Sequence, residues 1–234
     1  MKLLLLPGLD GTGQLFNDLV KYIPLEFEVQ VVSLNDIGGE TYDEQAVLIA
    51  ELVGQNDVVV VAESYSGPIA HALCGLLGNK LISLIFIASF IGPPSRISLL
   101  GFAMPTRWIR KNFLVRNLIN FFGFNGRGAP AKIEEILNAL HAVPVKVLKQ
   151  RFKNISLIKV SDEIHDVACI YIRPAADRLV GSSAVDAVKC CYPNLNVMQI
   201  DGGHFIAQTS PKECAEVILD VLKPVIGARN TPFK

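Results

Sequence analysis

Val58-Val-Val-Val-Ala-Glu-Ser-Tyr-Ser-Gly67 runs straight from an apolar segment into a serine turn, and the apolar stretch Ile69–Leu77 follows directly after Pro68. Consecutive valines without polar alternation read as a strand covered on both faces, the pattern of a parallel sheet held between helix layers. The turn has the form small-x-Ser-x-small, with Ala62 and Ser66 flanking Ser64. A serine that must project above the end of a sheet sits on a sharp, strained strand-to-helix turn. Small neighbours are required because strand and helix pack closely there. Ser64 fits that role as a nucleophile. Ser66 fits worse, because Pro68 would then take the second small position. An ordinary turn with a serine helix cap is the plain alternative, since the strict G-x-S-x-G is not met.

Outward from this stretch the same pattern repeats. Apolar runs bounded by turn residues occur at Leu3–Leu6, Glu28–Leu34, Asp57–Glu63, Leu81–Ala88, Ala168–Arg173 and Asn196–Ile200. Helical stretches lie between them, one over Gln14–Tyr22. Capping boxes at Thr41…Glu44 and Ser210…Glu213 precede Ala46–Val53 and Ala215–Leu222. Strand–helix alternation predicts an α/β fold with an open, doubly wound, parallel sheet. From Pro93 to His165 the alternation stops and only helical signals remain. Pro105, Pro130 and Pro144 each stand where a helix can begin, and Ile133–Leu140 and Val145–Ile158 are amphipathic. About four helices are expected there. An insertion after a strand's C-terminal end lies over the crevice where such sheets bind ligands, so this one is expected to form a lid. The expected organisation is a core of residues 1–92 and 166–227, a lid of 93–165 and a tail of 228–234.

Composition narrows the function classes. With 50% hydrophobic and 19% charged residues the chain is too apolar to be disordered. Its 22 basic residues are matched by 22 acidic ones, so a nucleic-acid partner is not expected. The leucine run ends at Pro7-Gly8, too short for a secretory segment, and no run is long enough to span a membrane. Five cysteines, with no C-x-x-C pair, point to reduced thiols and a cytoplasmic location. No set of Cys, His or carboxylates has metal-ligand spacing, so no metal is expected; His71, His141 and His165 read as packing or surface histidines.

Two further strand ends carry chemistry. Leu3-Leu-Leu-Leu-Pro-Gly-Leu-Asp-Gly-Thr-Gly13 ends a strand in a glycine-rich turn, whose backbone N–H groups can point into a site. In an acyl-transfer enzyme the N–H of Leu9 would be one oxyanion donor and that of Tyr65 the other. Asp10 reads as a turn residue. The rival is a dinucleotide fingerprint, with Asp36 as ribose carboxylate, but Gly8-x-x-Gly11-x-Gly13 has the wrong order. Near the C-terminus, Asp177 and His204 each fall just past a strand, His204 after Gly202-Gly203. An Asp that fixes the imidazole tautomer and a His that takes the serine proton complete a triad. The chain order Ser64, Asp177, His204 is the one an α/β-hydrolase scaffold uses. Asp201 reads as a turn carboxylate.

On these residues the chain resembles the α/β-hydrolase superfamily of lidded serine hydrolases: PGLDGTG at the oxyanion turn, AESYSG at the serine, RPAADRLV at the acid and DGGHF at the base. The resemblance covers nearly the whole chain. It implies catalytic Ser64, Asp177 and His204, oxyanion donors at Leu9 and Tyr65, and no cofactor. Three departures stand out. Pro7-Gly8 replaces the frequent His-Gly, Glu63 precedes the serine, and the usual leading hairpin is missing. About six parallel strands are therefore expected, with one sheet edge short or covered by a partner. The implied activity is hydrolysis of carboxylic esters or thioesters through an acyl-serine intermediate. Alternatives on the same scaffold are a ligand-binding receptor with little turnover, an acyltransferase or a lyase.

The neutral total hides an asymmetry. From Pro93 to His165 there are 12 Lys and Arg against four acids, a surplus of +8 that the rest of the chain balances at −8. Arg107, Arg110, Lys111 and Arg116 interleave with Trp108, Ile109, Phe113 and Leu114. Such a lid suits docking of an acidic acyl carrier protein or a coenzyme A thioester, unless the charge merely faces the acidic core. Phe102, Trp108, Phe113, Phe121, Phe122 and Phe124 are expected to divide between the lid's own packing and the lining of an apolar acyl cleft.

Overall fold

The computed structural model describes residues 1–94 and 113–229. Six strands form one sheet: β1 (Lys2–Leu6), β2 (Glu28–Val31), β3 (Val58–Glu63), β4 (Leu81–Ile87), β5 (Ala168–Pro174) and β6 (Asn196–Ile200). The order is β2-β1-β3-β4-β5-β6 and every pairing is parallel. β3 lies inside the sheet, which is why its six residues are all buried. The helices are α1 (Tyr42–Val53), α2 (Gly67–Leu77), α3 (Phe113–Gly123), α4 (Pro130–Ala142), α5 (Val145–Leu157), α6 (Ser182–Cys191) and α7 (Pro211–Arg229). α1 starts on a full capping box, Thr41 accepting from the N–H of Glu44 and Glu44 accepting from that of Thr41.

The period-2 alternation of the strands divides the core into two layers. Leu4, Leu6, Val58, Val60, Ala62, Phe86 and Tyr171 pack with Ile49 of α1, Leu73 of α2 and Val188 of α6. Leu3, Leu5, Val59, Val61, Ile85 and Ile172 pack on the other face with Phe16, Leu19 and, from α7, Cys214 and Ile218. At about 1.5–3 kcal/mol for each fully buried aliphatic side chain, these faces are the main source of stability. Helices α3 to α5 connect β4 to β5. α3 and α4 build a third small core of Val115, Phe124, Ile133, Ile136 and Leu137, closed by Leu15 and Phe205 from the loops above the sheet.

Several expected boundaries change. The second strand ends at Val31, not Leu34, because Leu34–Ile37 turns into a short helix and buries Leu34. The expected helix over Gln14–Tyr22 is broken into a 3-10 turn, Gln14–Phe16, and a single turn, Asn17–Val20. Residues 228 and 229, expected in the tail, belong to α7, which runs to Arg229. Three insertion helices are seen among the described residues; Pro105, Phe102, Trp108, Arg107, Arg110 and Lys111 lie outside them. The sheet edge at β2 is short, at four residues. No helix among the described residues is long and apolar enough to cross a membrane. All five cysteines are free thiols, and only Cys190 is exposed.

Candidate active site

Ser64 follows the last residue of β3 with φ 47°, a left-handed conformation that costs a non-glycine residue about 1–3 kcal/mol. The surroundings hold it there. The Ser89 hydroxyl donates to the Ser64 carbonyl at 2.7 Å, and the Ser66 hydroxyl donates to the carbonyl of Pro7. Position 66 is therefore more than small: it ties the serine turn to the glycine turn after β1. The tightest position is one the pattern did not single out. A Cβ on Gly67 would collide with the Phe90 carbonyl oxygen and the Ser89 hydroxyl.

The side chains expected from the sequence meet above the sheet. Ser64 Oγ lies 2.9 Å from His204 Nε2, and His204 Nδ1 lies 2.8 Å from Asp177 Oδ2. The other carboxylate oxygen of Asp177 accepts the N–H groups of Leu179 and Val180 at 2.8 and 2.9 Å, which locks its orientation. His204 and the Asp177 carboxylate are buried, whereas Ser64 is part-exposed. Burial opposes the charged imidazolium of His204. The charge and hydrogen bond of Asp177 outweigh it, Glu63 adds to them, and the histidine pKa moves upward. With Nδ1–H held by the carboxylate, Nε2 is left to accept the serine proton. Gly202 has φ 145°, which calls for glycine, and the loop packs on the end of α3: Phe205 N–H donates to the Gly123 carbonyl at 3.2 Å. Asp201 is exposed, in keeping with a turn carboxylate.

The glycine turn reaches the serine. A Cβ at Gly8 would stand 3.7 Å from Ser64 Cβ, so Leu9 follows a residue already in contact with the site. Asp10 is buried and accepts from the N–H of Thr12 at 2.9 Å, a turn role. Arg151 of α5 was not anticipated. Its buried guanidinium donates to the carbonyls of Leu9 and Asp10 at 3.0 and 2.9 Å and to Asn35 Oδ1 at 2.8 Å. Gly11, at φ 63°, has to lack a side chain to admit it. Asn154, one turn further along α5, donates to the Tyr65 hydroxyl at 2.9 Å.

Glu63 is the other residue that pattern reading passed over. It is buried among valines, with one carboxylate oxygen accepting from Gln208 at 2.9 Å and the other without a hydrogen-bond partner among the described residues. Burial, aided by the charge of Asp10, pushes its pKa up to about 7 against the opposing Gln208 hydrogen bond and His204 charge. A charged residue inside an apolar strand was the legible signal.

No family model matches the chain, and no curated protein matches it in sequence. Solved structures do match. A thermophilic esterase from Thermogutta terrifontis shares 16% identity, with 96% of this chain and 90% of that one covered at a TM-score of 0.78. A membrane phospholipase A described as a bacterial virulence factor shares 18%, with 98% and 80% covered at 0.79. The chain has the α/β-hydrolase fold. A Bacillus megaterium epoxide hydrolase shares that fold with it at 13% identity, 95% and 94% coverage and a TM-score of 0.70. One α/β-hydrolase scaffold thus carries different reactions, and the reaction has to be argued from the site.

Around the α/β-hydrolase core, the described part of the insertion uses its aromatic and basic residues in more than one way. Of the aromatic residues expected to divide between packing and an acyl cleft, Phe124 is buried in the insertion's own core, while Phe113 and Phe121 are 81% and 50% exposed. Among the described residues a cavity of about 450 Å³ opens between Gln14–Asn17 and α4, and its lining includes neither Ser64 nor His204. Part of the basic surplus is used internally. Arg116 pairs with Glu134, Lys132 pairs with Glu135 and with Asp18 of the core, and Arg151 is buried.

Proposed function

We propose that the protein is a serine hydrolase that cleaves carboxylic esters or thioesters through an acyl-serine intermediate, with Ser64, His204 and Asp177 as its triad. The observation that carries the reading is the continuous hydrogen-bonded chain from Ser64 Oγ through His204 to Asp177, placed on a left-handed serine at the end of β3. In the first half-reaction Ser64 Oγ attacks the acyl carbon while His204 Nε2 takes its proton. The N–H groups of Leu9 and Tyr65 receive the developing oxyanion. Collapse of the tetrahedral intermediate breaks the bond to the alcohol or thiol, which leaves with the proton held by His204. Water then repeats the cycle: His204 takes its proton, hydroxide adds to the acyl carbon, and Ser64 leaves with that proton as the acid is released. Asp177 stays ionised and stabilises the imidazolium.

In this reading residues 93–165 act as the lid over a core of 1–92 and 166–227. The lid retains a basic outer face: Lys146, Lys149 and Lys153 are exposed along α5. Spacings of three and four residues set them on one side of the helix, suited to an acidic acyl carrier protein or the phosphates of coenzyme A.

A fluorophosphonate probe, with nitrophenyl esters and acyl thioesters as substrates, tests the proposal. Wild type should be labelled once and turn over at least one substrate class. Ser64→Ala should lose both, with turnover down by about 10⁴–10⁶. Labelling that survives in Ser64→Ala, or ligand binding without any turnover, would replace the enzyme with a receptor or move the nucleophile.

A further inference from the structure

Metal-ligand spacing is absent from the chain as written, but folding assembles a three-residue cluster that the proposed hydrolysis does not use. His71 lies on α2, and Glu163 and His165 lie in the segment that leads from α5 into β5. One ligand atom from each falls within 4.8 Å of the others. We propose that His71, Glu163 and His165 form a binding site for a divalent transition-metal ion of the zinc type.

Each side chain is prepared differently. His71 is buried, with Nδ1 at 2.8 Å from the Tyr192 hydroxyl and Nε2 at 2.9 Å from Ser161 Oγ. A metal-bound imidazole characteristically keeps its second nitrogen hydrogen-bonded, which fixes tautomer and ring orientation. Tyr192, itself fully buried, supplies that bond, and Nε2 would exchange the Ser161 hydroxyl for the metal. His165 is anchored by its backbone N–H, which donates to the Cys191 carbonyl at 2.9 Å. Its Nε2 is buried and makes no hydrogen bond; its ionic neighbour is Glu163 Oε2 at 3.5 Å. A buried ring nitrogen left without a hydrogen bond is costly, and a metal ion would satisfy it. Glu163 is exposed, and its Oε2 already faces His165 Nε2. Bonds of about 2.0–2.2 Å in tetrahedral geometry place ligand atoms about 3.5 Å apart, so about an ångström of closure completes the set.

The donor set selects the ion. Two imidazole nitrogens and one carboxylate oxygen suit Zn²⁺, Co²⁺ or Ni²⁺, whereas Mg²⁺ and Ca²⁺ take oxygen sets. Three protein ligands leave a position for water, and the exposed Glu163 gives the ion a path in from solvent. The ion would clasp α2, the helix that starts at the serine turn, to the chain at the point where the insertion returns to the sheet. The packing alternative is a plain edge-to-face histidine pair, with the His71 and His165 rings 4.9 Å apart.

The site is independent of the esterase reading and is tested by binding. Chelator-stripped full-length protein is titrated with Zn²⁺ by calorimetry and with Co²⁺ by visible absorption, and melted with and without Zn²⁺. Wild type should take up one ion per chain, develop Co²⁺ absorption bands and melt at a higher temperature with Zn²⁺. Glu163→Gln, at an exposed position, and His165→Gln should each weaken binding by at least about 100-fold. Loss of a partner hydrogen-bonded to a ligand already costs about 10–100-fold, and these are the ligands themselves. His204→Gln should bind Zn²⁺ as wild type does, which separates this site from metal caught by the triad histidine. No uptake by wild type, undiminished affinity in Glu163→Gln and His165→Gln, or loss of binding in His204→Gln would overturn the proposal.

Discussion

Replacing Glu63 by glutamine is expected to stabilise the protein above neutral pH and to change little in acid. Burial beneath Ser64 raises the carboxyl from its usual 4.5 to about 7. In the unfolded chain the group loses its proton near 4.5; in the folded chain it keeps the proton to about 7. Between those values the folded state binds the extra proton, so stability falls as pH rises through the window, and above about 7 the full penalty applies. The interval at about 1.36 kcal/mol per pH unit corresponds to about 3 kcal/mol. Glutamine has nearly the same shape, keeps an acceptor for Gln208 and does not titrate. The variant should therefore match wild type near pH 4.5 and exceed it progressively, by about 3 kcal/mol at pH 8. Urea unfolding at half-unit pH steps measures the difference directly. Parallel stability curves for the two proteins across this range would show that Glu63 ionises as easily folded as unfolded, and the argument from burial would be wrong.

The same substitution should shift activity, because Glu63 raises the His204 pKa: the acid limb of the kcat/KM profile should move to lower pH in Glu63→Gln. Asp177→Asn should fold normally and lower ester turnover by about 10⁴ through the wrong imidazole tautomer, while Asp201→Asn and Asp186→Asn should behave as wild type in the same assay. Gly67→Ala should cost about 1–3 kcal/mol in denaturant unfolding, since the added methyl group pushes on the Phe90 carbonyl and on the Ser89 hydroxyl that holds Ser64. With a carrier-bound or coenzyme A substrate, kcat/KM should fall between 0.01 and 0.1 M salt, as the screening length drops from about 30 to about 10 Å, and a small neutral ester should be insensitive. Lys149→Glu with Lys153→Glu should reproduce that loss at low salt.

What could be read from the chain alone depended on how local the cause was. The unbroken apolar run of Val58–Val61 forces a strand covered on both faces wherever it sits, and the capping box at Thr41 fixes where α1 begins. Ser64, Asp177 and His204 were legible because each follows a strand in a parallel sheet, and such a sheet brings all its C-terminal ends to one side. Leu34 reads as a continuation of β2 in the sequence; its burial by a short helix depends on α1, which lies further along the chain. Arg151 looked like one more positive charge in a basic segment. Its role depends on the carbonyls of Leu9 and Asp10, about 140 residues away, and no periodicity encodes that. The cluster of His71, Glu163 and His165 has no signature in the sequence for the same reason, since it joins α2 to the far end of the insertion.

The contacts of α5 have a consequence for how such a protein can be rebuilt. One turn of this helix holds the carbonyl of Leu9 through Arg151 and the hydroxyl of Tyr65 through Asn154, so both proposed oxyanion residues lean on the same element. An insertion that met the core through apolar surface alone could be exchanged as a cassette, with selectivity remodelled and the chemistry left intact. Here a foreign insertion would dock and yet leave the glycine turn unanchored, unless it brought an arginine and, three residues later, an asparagine on its inner face. If the proposed oxyanion role holds, substrate range and catalytic rate would be inherited together, and a recombination that aimed at one of them would alter both.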